Sequence, residues 1–128
     1  MILVDTSIWI DFLNDPRRVP EVQEKLPEFV TCGPIVQEVL QGFADRASVH
    51  LFRETLLAFP RLSDPVPVER FLEAAFIYRD GRSKGYTIRS ATDCLIAAIA
   101  IENDVPVWHR DRDFTAIARY TPLKVFRH

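Results

Sequence analysis

The stretch Met1-Ile-Leu-Val-Asp-Thr-Ser-Ile-Trp-Ile10 decides how this chain reads. Four apolar residues run straight into Asp5, and Ile8, Trp9, Phe12 and Leu13 then recur at helical spacing, stopping before Pro16. A strand that is apolar at every position is buried on both faces, as in a parallel sheet covered by helices. A carboxylate set directly after such a strand is costly to bury without a partner. Asp5 is therefore either the first polar residue of a loop or one member of a charged cluster completed from elsewhere in the chain.

Working outward, the same alternation continues. Residues 1–4 read as a strand, 20–26 as a short helix and Phe29 to Cys32 as a second strand. Pro34 suits the first turn of a helix running to about Phe43. Val49, Phe52 and Leu56 mark a helix over roughly 47–58, Asp64-Pro-Val-Pro67 a turn, and Val68 to about Arg82 a long helix broken by Gly81-Arg-Ser-Lys-Gly85. Ser90 opens a helix to about Asn103 that is apolar on every side and so belongs in the interior. Val105 to Trp108 reads as a strand, Asp113 to Tyr120 as a short helix and Leu123 to Phe126 as a last strand. Short apolar strands alternating with helices predict an α/β fold, a parallel sheet with helices on both faces.

The 128 residues, 48% apolar and 27% charged, predict one domain over 1–128 with a core of its own. A net charge of −2 gives no molecule-wide attraction for nucleic acid, so any such partner must meet a local basic patch. Cys32 and Cys94 lack metal-motif spacing and read as buried thiols in a reducing compartment, not a disulfide. The N-terminus has no basic segment ahead of its apolar run, and the longest apolar stretch, Cys94 to Ile101, is too short to span a bilayer. A cytoplasmic protein without a membrane partner is the expectation.

In such sheets functional groups gather beyond the carboxyl ends of the strands. Asp5 follows the first strand, Asp111 lies three residues after Trp108, Asp93 falls in the first turn of the buried helix and Glu38 in the second turn of the helix begun by Pro34. All four can reach one end of the sheet. Four converging carboxylates repel strongly and are tenable only with cations among them; hard oxygen donors select Mg²⁺ or Mn²⁺ over zinc. Each residue also has a plainer reading. Asp93 completes Ser90-Ala-Thr-Asp93, a capping box compatible with a metal role. Glu38 is off the stripe of Ile35, Val39 and Phe43 and by itself reads as a solvated carboxylate. Asp111 by default belongs to a charged loop, Asp113 reads as the N-cap of the last helix, and Thr6 and Ser7 read first as N-cap residues. His109 reads as an ordinary strand-end histidine, and His50 and His128 carry no signal.

Taken together, Leu3-Val-Asp-Thr-Ser-Ile-Trp-Ile10, Gly33-Pro-Ile-Val-Gln-Glu-Val-Leu40, Arg89-Ser-Ala-Thr-Asp-Cys-Leu-Ile-Ala-Ala-Ile-Ala-Ile101 and His109-Arg-Asp-Arg-Asp-Phe114 resemble the PIN-domain ribonucleases, specifically the toxin halves of VapBC-type toxin–antitoxin pairs. The resemblance covers almost the whole chain and implies a three-layer α/β/α sandwich with a mostly parallel sheet. Carried over by position, the family's acidic tetrad falls on Asp5, Glu38, Asp93 and Asp111, with Asp113 as an outer ligand or water-holder and Ser7 at the family's small polar position. It further implies Mg²⁺ or Mn²⁺, one or two ions, an RNA substrate, a cognate antitoxin and a homodimer.

RNA phosphodiester hydrolysis needs an activated water and neutralised phosphoryl charge, which divalent ions supply. On this reading Asp5 is central, Asp93 and Asp111 are further ligands, Glu38 holds or deprotonates the water, and the products carry 5′-phosphate and 3′-hydroxyl ends. Arg79, Arg82, Lys84 and Arg89, interleaved with Tyr78 and Tyr86, and Arg110 and Arg112 around Asp111, suit phosphate contacts and base stacking; alone they read equally as a solvated helix end and loop. Trp9 and Phe12 are either antitoxin-facing or core. A phospho-acceptor regulatory domain is the first rival, but such domains need an acidic pair after the first strand and a late lysine, whereas Thr6 and Ser7 follow Asp5 and Lys124 lies inside the last strand. A non-catalytic binding module keeping the acidic bowl is the second.

Overall fold

The computed structural model describes residues 1–127; His128 lies outside them. Strand β1 (Ile2–Val4) is the centre of a parallel three-stranded sheet, flanked by β2 (Phe29–Val30) and β3 (Val107–Trp108) in the order β2-β1-β3. The register sets Leu3 opposite both Val30 and Val107, and Val4 opposite Trp108. All seven strand residues are buried, as uninterrupted apolar runs require. Single bridges, Thr31 with Arg61 and Val107 with Val125, extend the sheet at its two edges. The expected last strand at Leu123–Phe126 is thus only one bridge, held by hydrogen bonds from Val107 N–H to the Lys124 carbonyl and from Phe126 N–H to the Val107 carbonyl. A two-residue β3 has no backbone left to pair with more.

Among the described residues seven α-helices connect and cover the sheet: α1 (Thr6–Asn14), α2 (Glu21–Lys25), α3 (Gly33–Gln41), α4 (Arg46–Ala58), α5 (Val68–Ser83), α6 (Ala91–Asn103) and α7 (Arg112–Ile117). This is the α/β/α arrangement expected. Helix α6 lies in the interior: Cys94, Ile96, Ala97, Ala98, Ile99 and Ala100 are all buried. Its alanines let α5 approach closely through Ala74, Ile77 and Gly81. Gly81 lies within α5 and does not break it; a side chain there would collide with the Tyr120 hydroxyl, which donates to the Ile77 carbonyl at 2.8 Å. The turn beyond falls to Gly85, at φ +86, a conformation glycine adopts without strain.

Three capping expectations are corrected. Asp5, not Thr6 or Ser7, caps α1, accepting from the Ser7 N–H, and Asp111, not Asp113, caps α7 by accepting from the Asp113 N–H at 2.8 Å. In each case the last extended residue before the helix takes the cap, because its backbone has not yet turned. The Ser90 box is half-made: Ser90 Oγ accepts from the Asp93 N–H, but the Ser90 N–H is taken by Asp113. Trp9 is core, packed by Phe12, Phe29, Phe52 and Phe59. The exposed apolar side chains of α1 are Ile10 and Leu13.

Candidate active site

The sheet delivers its carboxylates to one edge because parallel strands end together. The last ladder bond there runs from the Asp5 N–H to the Trp108 carbonyl, 2.9 Å, so the chain leaves β1 and β3 at the same level. Asp5 is the first residue beyond β1, and Asp111 follows β3 by three residues. Asp93 enters from the first turn of α6 and Glu38 from α3. Carboxylate oxygens of Asp5, Glu38 and Asp93 lie within 4.8 Å of one another, and so do those of Asp93, Asp111 and Asp113. Asp93 is the shared member, so the acids form two overlapping triplets.

Burial and repulsion shape this cup. Asp5, Asp93 and Asp113 are buried, whereas Glu38 and Asp111 are partly open to solvent. Burial pushes the Asp5 carboxyl above the ordinary range, against hydrogen bonds from Ser7 and Thr6 that lower it. Burial likewise raises Glu38, opposed by the Thr6 hydroxyl, which donates to Glu38 Oε1 at 3.1 Å. Asp93 is pushed furthest, up to about 9, first by burial and then by the charges of Asp111 and Asp5. Its Oδ2 is buried with no hydrogen-bond partner. A buried carboxylate oxygen aimed among other carboxylates calls for a proton or a cation.

Neighbouring polar groups hold the acids in place. Ser7 Oγ donates to Asp5 Oδ2 at 2.6 Å and accepts from the Arg110 N–H at 3.0 Å, joining the ends of β1 and β3. Both oxygens of Asp113 accept from the Arg89 N–H, and one also from the Ser90 N–H at 2.9 Å, so Asp113 ties α7 to the start of α6. His109 Nδ1 accepts from the Asp111 N–H at 3.0 Å, and burial holds this imidazole below its usual pKa, hence neutral. No local pattern points to that contact, because the spacing of His109 is that of any strand-end histidine. Cys32, beside Asp5 and Glu38, is pushed up to about 12, chiefly by burial, and stays a thiol. Both cysteines are free.

The basic residues divide by what they already touch. Arg89 and Arg112 are exposed, and their side chains have no ion-pair or hydrogen-bond partner among the described residues. Arg82 donates to the Tyr78 hydroxyl at 2.9 Å and lies over that ring, while Lys84 pairs with Asp80 at 2.7 Å. Arg110 pairs with Asp11 at 2.7 Å. Among the described residues no helix is long and apolar enough to cross a membrane.

A family model described as PIN domain matches residues 2–120. The chain is 36% identical to ribonuclease VapC11 of Mycobacterium tuberculosis and to VapC ribonuclease Mb1587 of Mycobacterium bovis, in each case over 97% of this chain and 96% of the relative. A solved structure of VapBC2 from Rickettsia felis, bound to a DNA fragment from its promoter, shares the fold with a TM-score of 0.75 at 14% identity, covering 98% of each chain.

Proposed function

This chain belongs to the PIN-domain family, and we propose that it is a metal-dependent endoribonuclease acting as the toxin of a toxin–antitoxin pair. The observation that carries the reading is the acidic cup, in particular the partnerless buried oxygen of Asp93 at the meeting point of two carboxylate triplets. All donors there are carboxylate oxygens, a set that fits Mg²⁺ or Mn²⁺, one ion or two. Asp5, Asp93 and Asp111 hold the metal, with Asp113, already bonded to two backbone N–H groups, as a secondary ligand. A bound divalent ion supplies charge neutralisation at the phosphoryl oxygens and lowers the pKa of water.

The remaining steps belong to the chain itself. Glu38, partly open to solvent and steadied by Thr6, holds the attacking water and accepts its proton; burial raises its pKa in the direction a general base needs. Ser7 fixes the Asp5 carboxylate. Arg89 and Arg112, free of internal partners, are the first candidates to hold RNA phosphates; Arg82 and Lys84 do so by exchanging present partners, and Arg110 is treated below. Water attack leaves 5′-phosphate and 3′-hydroxyl ends, with no part for the 2′-hydroxyl. The protein works in the cytoplasm as one PIN-like domain, restrained by a cognate antitoxin. We assign homodimerisation to the exposed stripe of α5, because it is self-complementary: Leu72 and Phe76, and Glu69 and Arg79, are symmetrically placed about Ala74.

The test is RNA cleavage by the purified protein with Mg²⁺, with EDTA, and with Asp5→Asn. Cleavage only in the first condition, with 5′-phosphate ends, supports the reading. A 2′,3′-cyclic phosphate among the products overturns the chemistry, and an intact substrate in all three points to a non-catalytic module.

A further inference from the structure

Arg110 precedes Asp111 in the loop between β3 and α7, where the sequence suggests a phosphate contact. Its side chain is otherwise employed. The guanidinium turns back over α1, donating from Nη1 to Asp11 Oδ2 at 2.7 Å and from Nη2 to the Arg18 carbonyl at 3.2 Å. Its backbone N–H donates to Ser7 Oγ, itself bonded to Asp5 Oδ2. Two separate anchors, one main-chain and one side-chain, thus fasten one residue to the segment that begins with Asp5. They are needed because the sheet stops short: among the described residues, no ladder bond beyond that from the Asp5 N–H to the Trp108 carbonyl ties this loop to β1. The charge of Asp111 meanwhile disfavours ionisation of Asp5.

We propose that Arg110 is a positioning residue: with Asp11 it clamps the β3–α7 loop so that Asp111 stays beside Asp5 as a preassembled cation-binding face. The clamp rests on the reading of the cup as a divalent-ion site. It makes a prediction opposite in sign to simple electrostatics. Removing a positive charge next to an acidic cup should by field alone tighten cation binding. Loss of a clamp should weaken it, as loss of outer supports to metal ligands does, by about tenfold or more.

The experiment measures Mn²⁺ affinity calorimetrically, without RNA, for the unaltered protein, Arg110→Ala, Asp11→Asn and the double variant, with circular dichroism to confirm folding. In parallel, the salt dependence of RNA binding is measured in an Asp5→Asn background. The expected result is about tenfold weaker Mn²⁺ binding in each single variant, no further loss in the double variant because one link is broken in both, and an unchanged RNA salt slope. Mn²⁺ affinity unchanged or tightened in Arg110→Ala overturns the clamp alone. So does a salt slope reduced by about one in Arg110→Ala with tighter RNA binding in Asp11→Asn, the signature of a phosphate-binding guanidinium. An unaltered protein that binds no Mn²⁺ overturns the metal reading, and the clamp with it.

Discussion

Asp93 shows what a single residue contributes here. With its pKa raised from 3.8 to about 9, the folded metal-free protein keeps a proton that the unfolded chain releases. Between those two values the folded state binds more protons, so stability must fall as pH rises through the window. Thermal unfolding without metal should therefore give a higher Tm at pH 5 than at pH 8. Asp93→Asn should flatten that dependence and raise the pH 8 stability by about 1–3 kcal/mol, as relief of a buried unsatisfied group does. Saturating Mg²⁺ should stabilise most at the alkaline end, where it need displace no proton. His109, held below its usual pKa, contributes with the opposite sign over part of this window, so the variant decides: a pH dependence of Tm unchanged in Asp93→Asn would show that Asp93 is not its source. Thr6 acts through Glu38, whose pKa its hydroxyl lowers. Thr6→Val should raise that pKa, moving the acid limb of the pH–rate profile to higher pH, with kcat down about tenfold.

At the level of elements, α7 carries two aspartates with different duties, and a pair of variants separates them. Asp113 accepts the Arg89 and Ser90 N–H groups and so joins α7 to α6. Asp113→Ala leaves those donors unpaired and should cost about 2–3 kcal/mol of stability. Asp111→Asn keeps a side-chain oxygen for the cap and should cost under about 0.5 kcal/mol, while abolishing most cleavage. Chemical denaturation beside an RNA cleavage assay checks both; equal losses of stability would mean that Asp111 is structural. Which aspartate caps was not legible in His109-Arg-Asp-Arg-Asp-Phe114, since either carboxylate lies close enough to the helix start. The helices themselves were legible. The all-apolar run of α6 marks an interior helix wherever it sits.

For the whole molecule, α5 leaves Leu72 and Phe76 65% and 68% exposed, beside a hollow of about 440 Å³ also lined by Ile77, Ala98, Ile101 and Pro122. Apolar surface of this kind marks a docking face. In the proposed dimer, α5 packed antiparallel on its own copy would set Leu72 against Phe76 and Glu69 against Arg79, an isologous arrangement. Phe76→Asp should give a monomer by sedimentation at micromolar concentration. Glu69→Arg alone should weaken the dimer, and Glu69→Arg with Arg79→Glu should restore it. A double variant no better than the single one removes α5 from the interface.

The sequence by itself determined the order of the helices and of the three sheet strands, the parallel sheet, the interior position of α6 and the placing of Asp5 at a strand's end, because hydrophobic periodicity and turn chemistry act over a few residues; the last strand it suggested, Leu123–Phe126, is a single bridge. Only the tertiary structure decided that the acids form two triplets sharing Asp93, that Asp113 holds the start of α6, and that the Arg110 guanidinium grips Asp11, 99 residues away in the chain. Charges choose partners by distance in space, and no local pattern encodes it.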